Sequence, residues 1–364
     1  MLSIGIVGLP NVGKSTLFNA LTQKAVPAEN FPFCTIDPAV GVVAVPDPRL
    51  SKLSEFSESE KTIPAAVEFV DIAGLVKGAA EGEGLGNQFL ANIREVDAIL
   101  HVVRIFDNQD ITHVHGDVDP VGDIGVINLE LILADLETVT KRLSNLEKEV
   151  KRGDKEAKWE VECLTKVRHT LEEGHLASAT SLALEEEHIV KQVHLLTMKP
   201  MYYALNKSVG SNNIDEENKE RWQELEELLE STGAHYVIID AGVENELADV
   251  AKDDQIALRR DFGVLEDGLA SLIQEGYKLL KLITYFTTGT DETRAWTIKE
   301  SSTAPIAGTA IHTDFRDKFI RAEVIPWDTL LESGSYAKAR EKGLLRTEGK
   351  EYIVKDGDVV EFKI

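Results

Sequence analysis

An α/β fold with a helical insertion and a β-rich C-terminal part is predicted by three features of the 364-residue sequence. Near the N-terminus, a short apolar strand runs into a glycine turn and then into an amphipathic helix. An apolar heptad repeat begins at Leu129. After Lys281, short strand-like segments alternate with glycines. A chain of this length accommodates two or three domains, each with its own core.

The N-terminal turn carries a complete phosphate-binding motif. Residues 8–16 read GLPNVGKST, which matches GxxxxGK(S/T). Gly8 and Gly13 allow successive backbone N–H groups to converge on phosphate oxygens, and the helix that follows adds the positive end of its dipole. Lys14 would neutralise the β and γ phosphates, and the Ser15 hydroxyl would bind Mg²⁺. The predicted nucleotide contacts here are Asn11, Val12, Gly13, Lys14, Ser15 and Thr16. The alternative, a chance glycine turn, does not explain the flanking strand and helix.

Two further segments fit the same chemistry. The apolar strand 67–71 ends in Asp71, and Gly74 completes a DxxG pattern, so Asp71 would hold Mg²⁺ and the Gly74 N–H would touch the γ-phosphate. The proline-flanked Thr35 lies in the intervening loop, where it would bind Mg²⁺ only when the γ-phosphate is present; an ordinary surface loop is the alternative. Leu75 stands where many related GTPases carry a water-orienting glutamine, which predicts slow turnover.

From residue 129 the pattern becomes helical. Apolar residues recur at alternating spacings of three and four, a turn is predicted at 151–155, and a second apolar series follows from Val161 to Leu171. The sequence therefore predicts an antiparallel coiled coil, either a docking arm or lever, or simply a packed helical subdomain. The seam positions of the first helix are Leu129, Ile132, Leu136, Val139, Leu143, Leu146 and Val150.

Charge and composition exclude several classes of protein. The formal net charge of −24 disfavours nonspecific binding to nucleic acid. Residues 281–364 carry 13 basic and 14 acidic side chains, so this near-neutral part is the better candidate for RNA contact. Only two cysteines, Cys34 and Cys163, argue against a disulfide scaffold. The sequence lacks an obvious signal peptide or membrane span, which predicts a cytoplasmic protein.

Taken together, these motifs resemble the YchF family of Obg-like ATPases. The similarity extends over nearly the whole chain, and the segment from Gly84 to Arg94 resembles this family more than P-loop proteins at large. The matching segments are GLPNVGKST (8–16), NFPFCTIDP (30–38), DIAGLVKGA (71–79), GEGLGNQFLANIREVDAILHVVR (82–104), TYFTTG (284–289), RAWT (294–297), FIRAEV (319–324) and YIVKDGDVVEF (352–362). The resemblance implies a Ras-like P-loop domain with a coiled-coil insertion and a C-terminal TGS domain of the β-grasp fold. It also implies a preference for ATP, ribosome association and a role in translation or stress responses.

Base recognition is expected from two loops. Asn206 and Lys207 begin the segment that corresponds to the NKxD motif of GTPases, and Asp240 and Ala241 form the second loop. Val209 stands at the aspartate position, although the family usually carries glutamate there. A valine accepts no hydrogen bond from guanine N1–H or the exocyclic amine, so selectivity for guanine should be lost.

Two roles follow from the resemblance alone. His113 matches the family histidine that would position the attacking water; His115 competes for this role, and a solvent-exposed loop histidine is the alternative. Asn11 would recruit K⁺ as a substitute for an arginine finger, or it would simply shape the loop.

The expected domains are a P-loop domain at 1–127 and 198–280, a coiled-coil insert at 128–197 and a TGS domain at 281–364. The expected function is slow Mg²⁺-dependent hydrolysis of ATP by a ribosome-associated molecular switch. A GTPase or dual ATP/GTP hydrolase, and a nonenzymatic ribosome- or RNA-binding scaffold, are the alternatives.

Overall fold

The computed structural model describes residues 2–23, 39–72, 84–107, 118–248, 250–264 and 267–364, with backbone alone for 84–87 and 252–253. Among these residues, no helix combines the length and the apolar character needed to cross a membrane. The elements fall into a parallel α/β sheet, a long helical hairpin and a second, mixed sheet.

The first sheet has six strands in the order β2-β4-β1-β5-β7-β9, and only β2 runs antiparallel to its neighbour. Strands buried on both faces are typical of such a sheet, and every residue of β5 is buried. This confirms the predicted P-loop α/β fold. The elements of its first part are β1 (Ser3–Val7), α1 (Lys14–Gln23), β2 (Val40–Ala44), α2 (Pro48–Ser57), β3 (Lys61–Ile63), β4 (Ala66–Asp71), α3 (Gly84–Glu95), β5 (Ala98–Arg104) and β6 (Phe106–Asp107). Those of its second part are β7 (Met201–Asn206), β8 (Asn212–Asn213), α7 (Ile214–Glu217), α8 (Lys219–Ser231), β9 (His235–Ile239), α9 (Ala241–Ala248), α10 (Lys252–Asp261) and α11 (Gly268–Leu279).

The helical hairpin lies between these two parts. It comprises α4 (Pro120–Lys151), α5 (Lys155–Glu172) and α6 (Leu184–Lys191). Asp119 caps α4 and Pro120 occupies its first turn, while Asp154 caps α5 directly after the hairpin turn. Val139, Leu146, Leu164 and Val167 pack between the two helices, as the heptad spacing predicts.

The seam is shorter than the sequence predicts. Leu129 is 53% exposed, and the buried series on this face begins at Ile132. The seam is shorter because the returning helix is shorter: α5 has 18 residues and α4 has 32, so α5 cannot pair with the whole length of α4. At the base of the hairpin α4 instead turns Ile124 and Ile127 towards the α/β part of the molecule.

The second sheet lies mainly in the C-terminal part, in the order β13-β12-β14-β10-β11-β3. Its first strand β10 pairs antiparallel with β11 and parallel with the last strand β14, which is the β-grasp arrangement. Residues 352–354, one of the short strand-like segments after Lys281, form no strand and contribute only an isolated bridge from Ile353 to Thr303. The elements are β10 (Leu282–Thr288), β11 (Glu292–Lys299), α12 (Ala304–Gly308), α13 (Asp314–Asp317), β12 (Arg321–Pro326), α14 (Trp327–Ser333), α15 (Tyr336–Glu341), β13 (Arg346–Glu348) and β14 (Asp358–Lys363).

The two sheets are joined through the segment between β2 and β4. Strand β3 leaves the α/β part and pairs in parallel with β11, so it completes the edge of the C-terminal sheet. Arg49 of α2 forms an ion pair with Asp356 and lies over the ring of Phe286, 5.2 Å from its centroid. The C-terminal sheet is therefore attached directly to the connection that leads into β4 and Asp71.

Candidate functional site

Two glycines in the loop between β1 and α1 leave no room for a side chain. A Cβ atom on Gly8 would lie 2.5 Å from the Val102 carbonyl oxygen. Gly13 has φ +100°, and its Cβ would lie 2.3 Å from Asn206 Nδ2. The loop therefore packs against β5 on one side and against the end of β7 on the other. Asn11 also adopts a left-handed conformation, with φ 63°.

Lys14 begins α1 and is folded back onto the loop. Its Nζ donates to the Leu9 carbonyl at 2.7 Å, and the residue is buried. Burial lowers the pKa of Lys14 to about 8, although the nearby Asp71 carboxylate opposes the shift. The ammonium group is thus held close to the backbone N–H groups of the loop, where phosphate oxygens would compensate its charge.

Ser15 and Asp71 form the pair that fits a magnesium ion. The Ser15 hydroxyl lies close enough to the Asp71 carboxylate to lower its pKa, which places a hydroxyl oxygen from the first turn of α1 near the carboxylate at the end of β4. Burial raises the pKa of Asp71, while Lys14 and the Ser15 hydrogen bond act in the opposite direction. Mg²⁺ prefers oxygen ligands of this kind and is commonly held by one or two protein groups plus nucleotide phosphates.

Asn206 connects the phosphate loop to both predicted base loops. Its Nδ2 donates to the Val12 carbonyl at 2.9 Å, and its Oδ1 accepts from the Ala241 backbone N–H at 3.0 Å. Asn206 ends β7 and Ala241 begins α9, so one side chain spans three segments. Both bonds are buried, which fixes the two base loops relative to the phosphate loop.

The other predicted residues of the two base loops, Asp240 and Lys207, belong to the same part of the site as Val209. Val209 itself is 42% exposed, and its backbone N–H donates to Asp240 Oδ2 at 2.7 Å. Asp240 Oδ1 accepts from the Val243 N–H at 3.0 Å and so caps α9. Lys207 Nζ lies 2.8 Å from Glu216 Oε1 and 3.5 Å from Asp215 Oδ2, at one side of the same loop.

The structure thus brings together the predicted residues of the phosphate loop, of both base loops and Asp71. Thr16 lies half-buried in the first turn of α1. Three predicted catalytic or metal-binding residues, Thr35, Gly74 and His113, lie outside the described residues, as do Leu75 and the competing His115.

Sequence reasoning missed His101, which lies in β5 between Val7 of β1 and Tyr203 of β7. It is fully buried, its Nδ1 has no hydrogen-bond partner among the described residues, and burial, assisted by the Lys14 charge, lowers its pKa to about 3. The imidazole is therefore neutral beside the phosphate loop. The available signal was a polar residue within the otherwise apolar run AILHVV.

Comparison with family models matches both ends of the chain. A model described as a 50S ribosome-binding GTPase matches residues 3–160. A model named YchF-GTPase_C, described as a protein of unknown function, matches residues 282–364.

Similar proteins cover the whole chain. The Ribosome-binding ATPase YchF of Bacillus subtilis (strain 168) is 49% identical over 363 residues, which is 100% of this chain and 99% of that protein. The protein of the same name from Escherichia coli O157:H7 is 49% identical and covers 98% of each chain. The solved structure of the Schizosaccharomyces pombe YchF GTPase superposes with a TM-score of 0.88 at 36% identity, covering 100% of this chain and 97% of that one.

Proposed function

The chain belongs to the YchF family, and on that premise we propose that it is a Mg²⁺-dependent ATPase whose nucleotide state governs binding to the ribosome. The relatives named above supply the ribosome and ATP as candidates. The observation that carries the catalytic proposal is the grouping of Lys14 and Ser15, at the start of α1, with Asp71 at the end of β4. A ribosome-binding function would place the protein in the cytoplasm.

Hydrolysis in this site depends mainly on positioning and charge neutralisation. Lys14 would give up its hydrogen bond to the Leu9 carbonyl and bind the β and γ phosphates instead. The negative phosphate oxygens would then compensate the charge of its ammonium group. Ser15 and Asp71 would hold Mg²⁺, which supplies charge stabilisation when bound. A water attacks the γ phosphorus, the bond to the β–γ bridging oxygen breaks, and ADP and phosphate result.

We also propose roles for the predicted residues that lie outside the described ranges. Thr35 would complete the Mg²⁺ ligands, the Gly74 N–H would contact the γ-phosphate, and His113 would position the attacking water. Asn11, in its left-handed conformation, would contribute to a K⁺ site next to the phosphates.

Substrate preference is proposed to follow from the base loops. The side chain of Val209 offers no acceptor for guanine N1–H or its exocyclic amine. Asn206 and Lys207 would contact the base from one loop, and Asp240 and Ala241 from the other. A GTPase that reads guanine by other means is the second candidate.

Ribosome contact is proposed for two surfaces. The α4–α5 hairpin extends from the α/β part, and the C-terminal sheet belongs to a near-neutral segment, which would repel RNA less than the acidic remainder of the chain. We assign these surfaces to the insert at 128–197 and the TGS domain at 281–364.

The test combines hydrolysis with ribosome binding. Single-turnover hydrolysis of ATP and GTP is measured for the wild type, for Lys14→Ala and for the matched control Lys219→Ala on α8. Cosedimentation with ribosomes is measured with a nonhydrolysable ATP analogue and with ADP. The proposal predicts ATP hydrolysis that Lys14→Ala reduces by at least ~100-fold, and ribosome binding that differs between the two nucleotides. Equal binding in both states, retained by a folded Lys14→Ala, would instead establish a scaffold.

A further inference from the structure

The carboxylate of Asp240 is held in a fixed orientation between the two base loops. It lies in the connection from β9 to α9 and is 7% exposed. One oxygen accepts from the Val243 N–H at 3.0 Å, and the other accepts from the Val209 N–H at 2.7 Å. The second bond crosses from the loop after β9 to the loop after β7. The negative charge is therefore fixed at the junction of these loops.

This junction is attached to the phosphate site through Asn206. The Asn206 side chain bonds to the Val12 carbonyl on one side and to the Ala241 N–H on the other. Ala241 is the neighbour of Asp240 in the chain. A nucleotide whose phosphates occupy the loop at residues 8–13 would therefore extend its base towards the Asp240 carboxylate.

Three backbone donors at this junction are already engaged by side chains. Val209 N–H and Val243 N–H both donate to Asp240, and Ala241 N–H donates to Asn206. Each carboxylate oxygen retains acceptor capacity, because an ionised carboxylate accepts about four hydrogen bonds in total. A base that reaches this junction thus meets a charged acceptor, while these three backbone donors are occupied.

Adenine and guanine differ in the group attached to C6, which the Asp240 carboxylate would contact. Adenine carries an amine at C6, which donates hydrogen bonds, whereas guanine carries a carbonyl there, which only accepts them. A carboxylate attracts the amine and repels the carbonyl. We propose that the side chain of Asp240 selects adenine by accepting a hydrogen bond from the 6-amino group. The proposal rests on the ATPase function above, and it adds an attractive contact for adenine to the loss of the guanine acceptor at Val209.

The test removes the charge from the protein and the amine from the ligand. Equilibrium binding to the full-length protein is measured with Mg²⁺ for ATP, for purine riboside triphosphate, which lacks the 6-amino group, and for GTP. The proteins are the wild type, Asp240→Asn and Asp240→Ser. Asp154→Asn is the matched control, because Asp154 also accepts two backbone N–H groups but lies at the hairpin tip.

We expect the wild type and Asp154→Asn to bind ATP ~10- to 100-fold more tightly than purine riboside triphosphate. In both Asp240 variants this ratio should fall to about threefold or less, and GTP should bind at least as tightly as in the wild type. Asp240→Ser retains a hydroxyl that can cap α9, and thermal unfolding of each variant identifies any loss of folding.

The outcomes separate this proposal from the ATPase assignment. If the wild type prefers ATP and folded Asp240 variants keep the full discrimination against purine riboside triphosphate, the role of Asp240 is wrong while the ATPase function stands. If the variants selectively lose GTP, the carboxylate reads guanine N1–H and the proposal is overturned. A wild type that prefers GTP refutes both.

Discussion

Asn206 and Val12 are 194 positions apart in the sequence, yet the Asn206 amide donates to the Val12 carbonyl at 2.9 Å. The same side chain accepts from the Ala241 N–H. The phosphate loop and the two base loops therefore share one buried hydrogen-bonded centre. Both the affinity for nucleotide and the stability of this region should therefore depend on this centre.

Replacing Asn206 by alanine should damage both properties. The substitution leaves the Val12 carbonyl and the Ala241 N–H without their buried partner, at a cost of about 1–3 kcal/mol in the free energy of unfolding. Urea denaturation and binding of a fluorescent ATP analogue measure the two effects. Asn218→Ala is the control, since Asn218 caps α8 at an exposed position. Unchanged ATP affinity in folded Asn206→Ala would contradict this account of the centre.

Gly13→Ala should reduce stability and nucleotide binding far more than the replacement of a glycine outside the phosphate loop. The new methyl would meet Asn206 Nδ2 at 2.3 Å on a backbone with φ +100°. Gly153→Ala is the matched control, because Gly153 also has a positive φ, +87°, but an added Cβ there meets no atom of the described residues within 4 Å. We expect a loss of about 1 kcal/mol for the control and at least ~2 kcal/mol, with loss of nucleotide binding, for Gly13→Ala. Similar losses in stability and binding for both variants would refute the steric argument.

Nucleotide binding should be linked to proton uptake at Lys14. Burial lowers the pKa of Lys14 from 10.5 to about 8, so between these pH values the unfolded chain holds a proton that the nucleotide-free folded protein releases. This group therefore makes the nucleotide-free protein more stable as pH rises through that window. Phosphate oxygens favour the charged amine, so ATP affinity should fall by up to ~10-fold per pH unit above pH 8.

Calorimetry in buffers of different ionisation enthalpy measures this proton uptake directly. At pH 9 the wild type should take up close to one proton on binding ATP. Lys14→Arg should take up almost none, because guanidinium stays protonated. Equal uptake by both proteins would assign the linkage to another group.

The fold was predictable where the sequence pattern is local. A period of 3.5 in apolar residues is sufficient to predict the helical hairpin, and the glycine motif predicts the strand, loop and helix around Gly8. The pairing of β3 with β11 was not predictable. The three residues of β3, KTI, carry no periodicity, and their partner is more than 200 positions away.

The functional site likewise combines residues that a local motif predicts with contacts that no local motif predicts. Lys14, Ser15 and Asp71 belong to motifs whose residue types imply their chemistry. The carboxylate contacts of Asp240 depend on how two loops meet, which no local pattern encodes. His101 was missed because a histidine in an apolar strand is more often part of a core than of a site.

Asp135 should stabilise the base of the helical hairpin. One carboxylate oxygen accepts from the Leu196 N–H at 2.8 Å, and the other accepts from the N–H and the hydroxyl of Thr197 at 2.7 and 2.6 Å. In Asp135→Asn an amide N–H₂ group would face one of these donors, so we expect a loss of about 1–3 kcal/mol in chemical denaturation. Glu137→Gln, on the same helix, should be nearly neutral. Equal stability of both variants would show that the carboxylate is dispensable.

The central claim is that this P-loop protein prefers ATP because an acceptor for guanine is missing at Val209. Equilibrium competition between ATP and GTP analogues, with Mg²⁺, on the wild type and on Val209→Asp tests it most directly. The account predicts that the wild type prefers ATP and that Val209→Asp gains affinity for GTP. A wild type that already prefers GTP would contradict both the base-site reasoning and the proposed substrate.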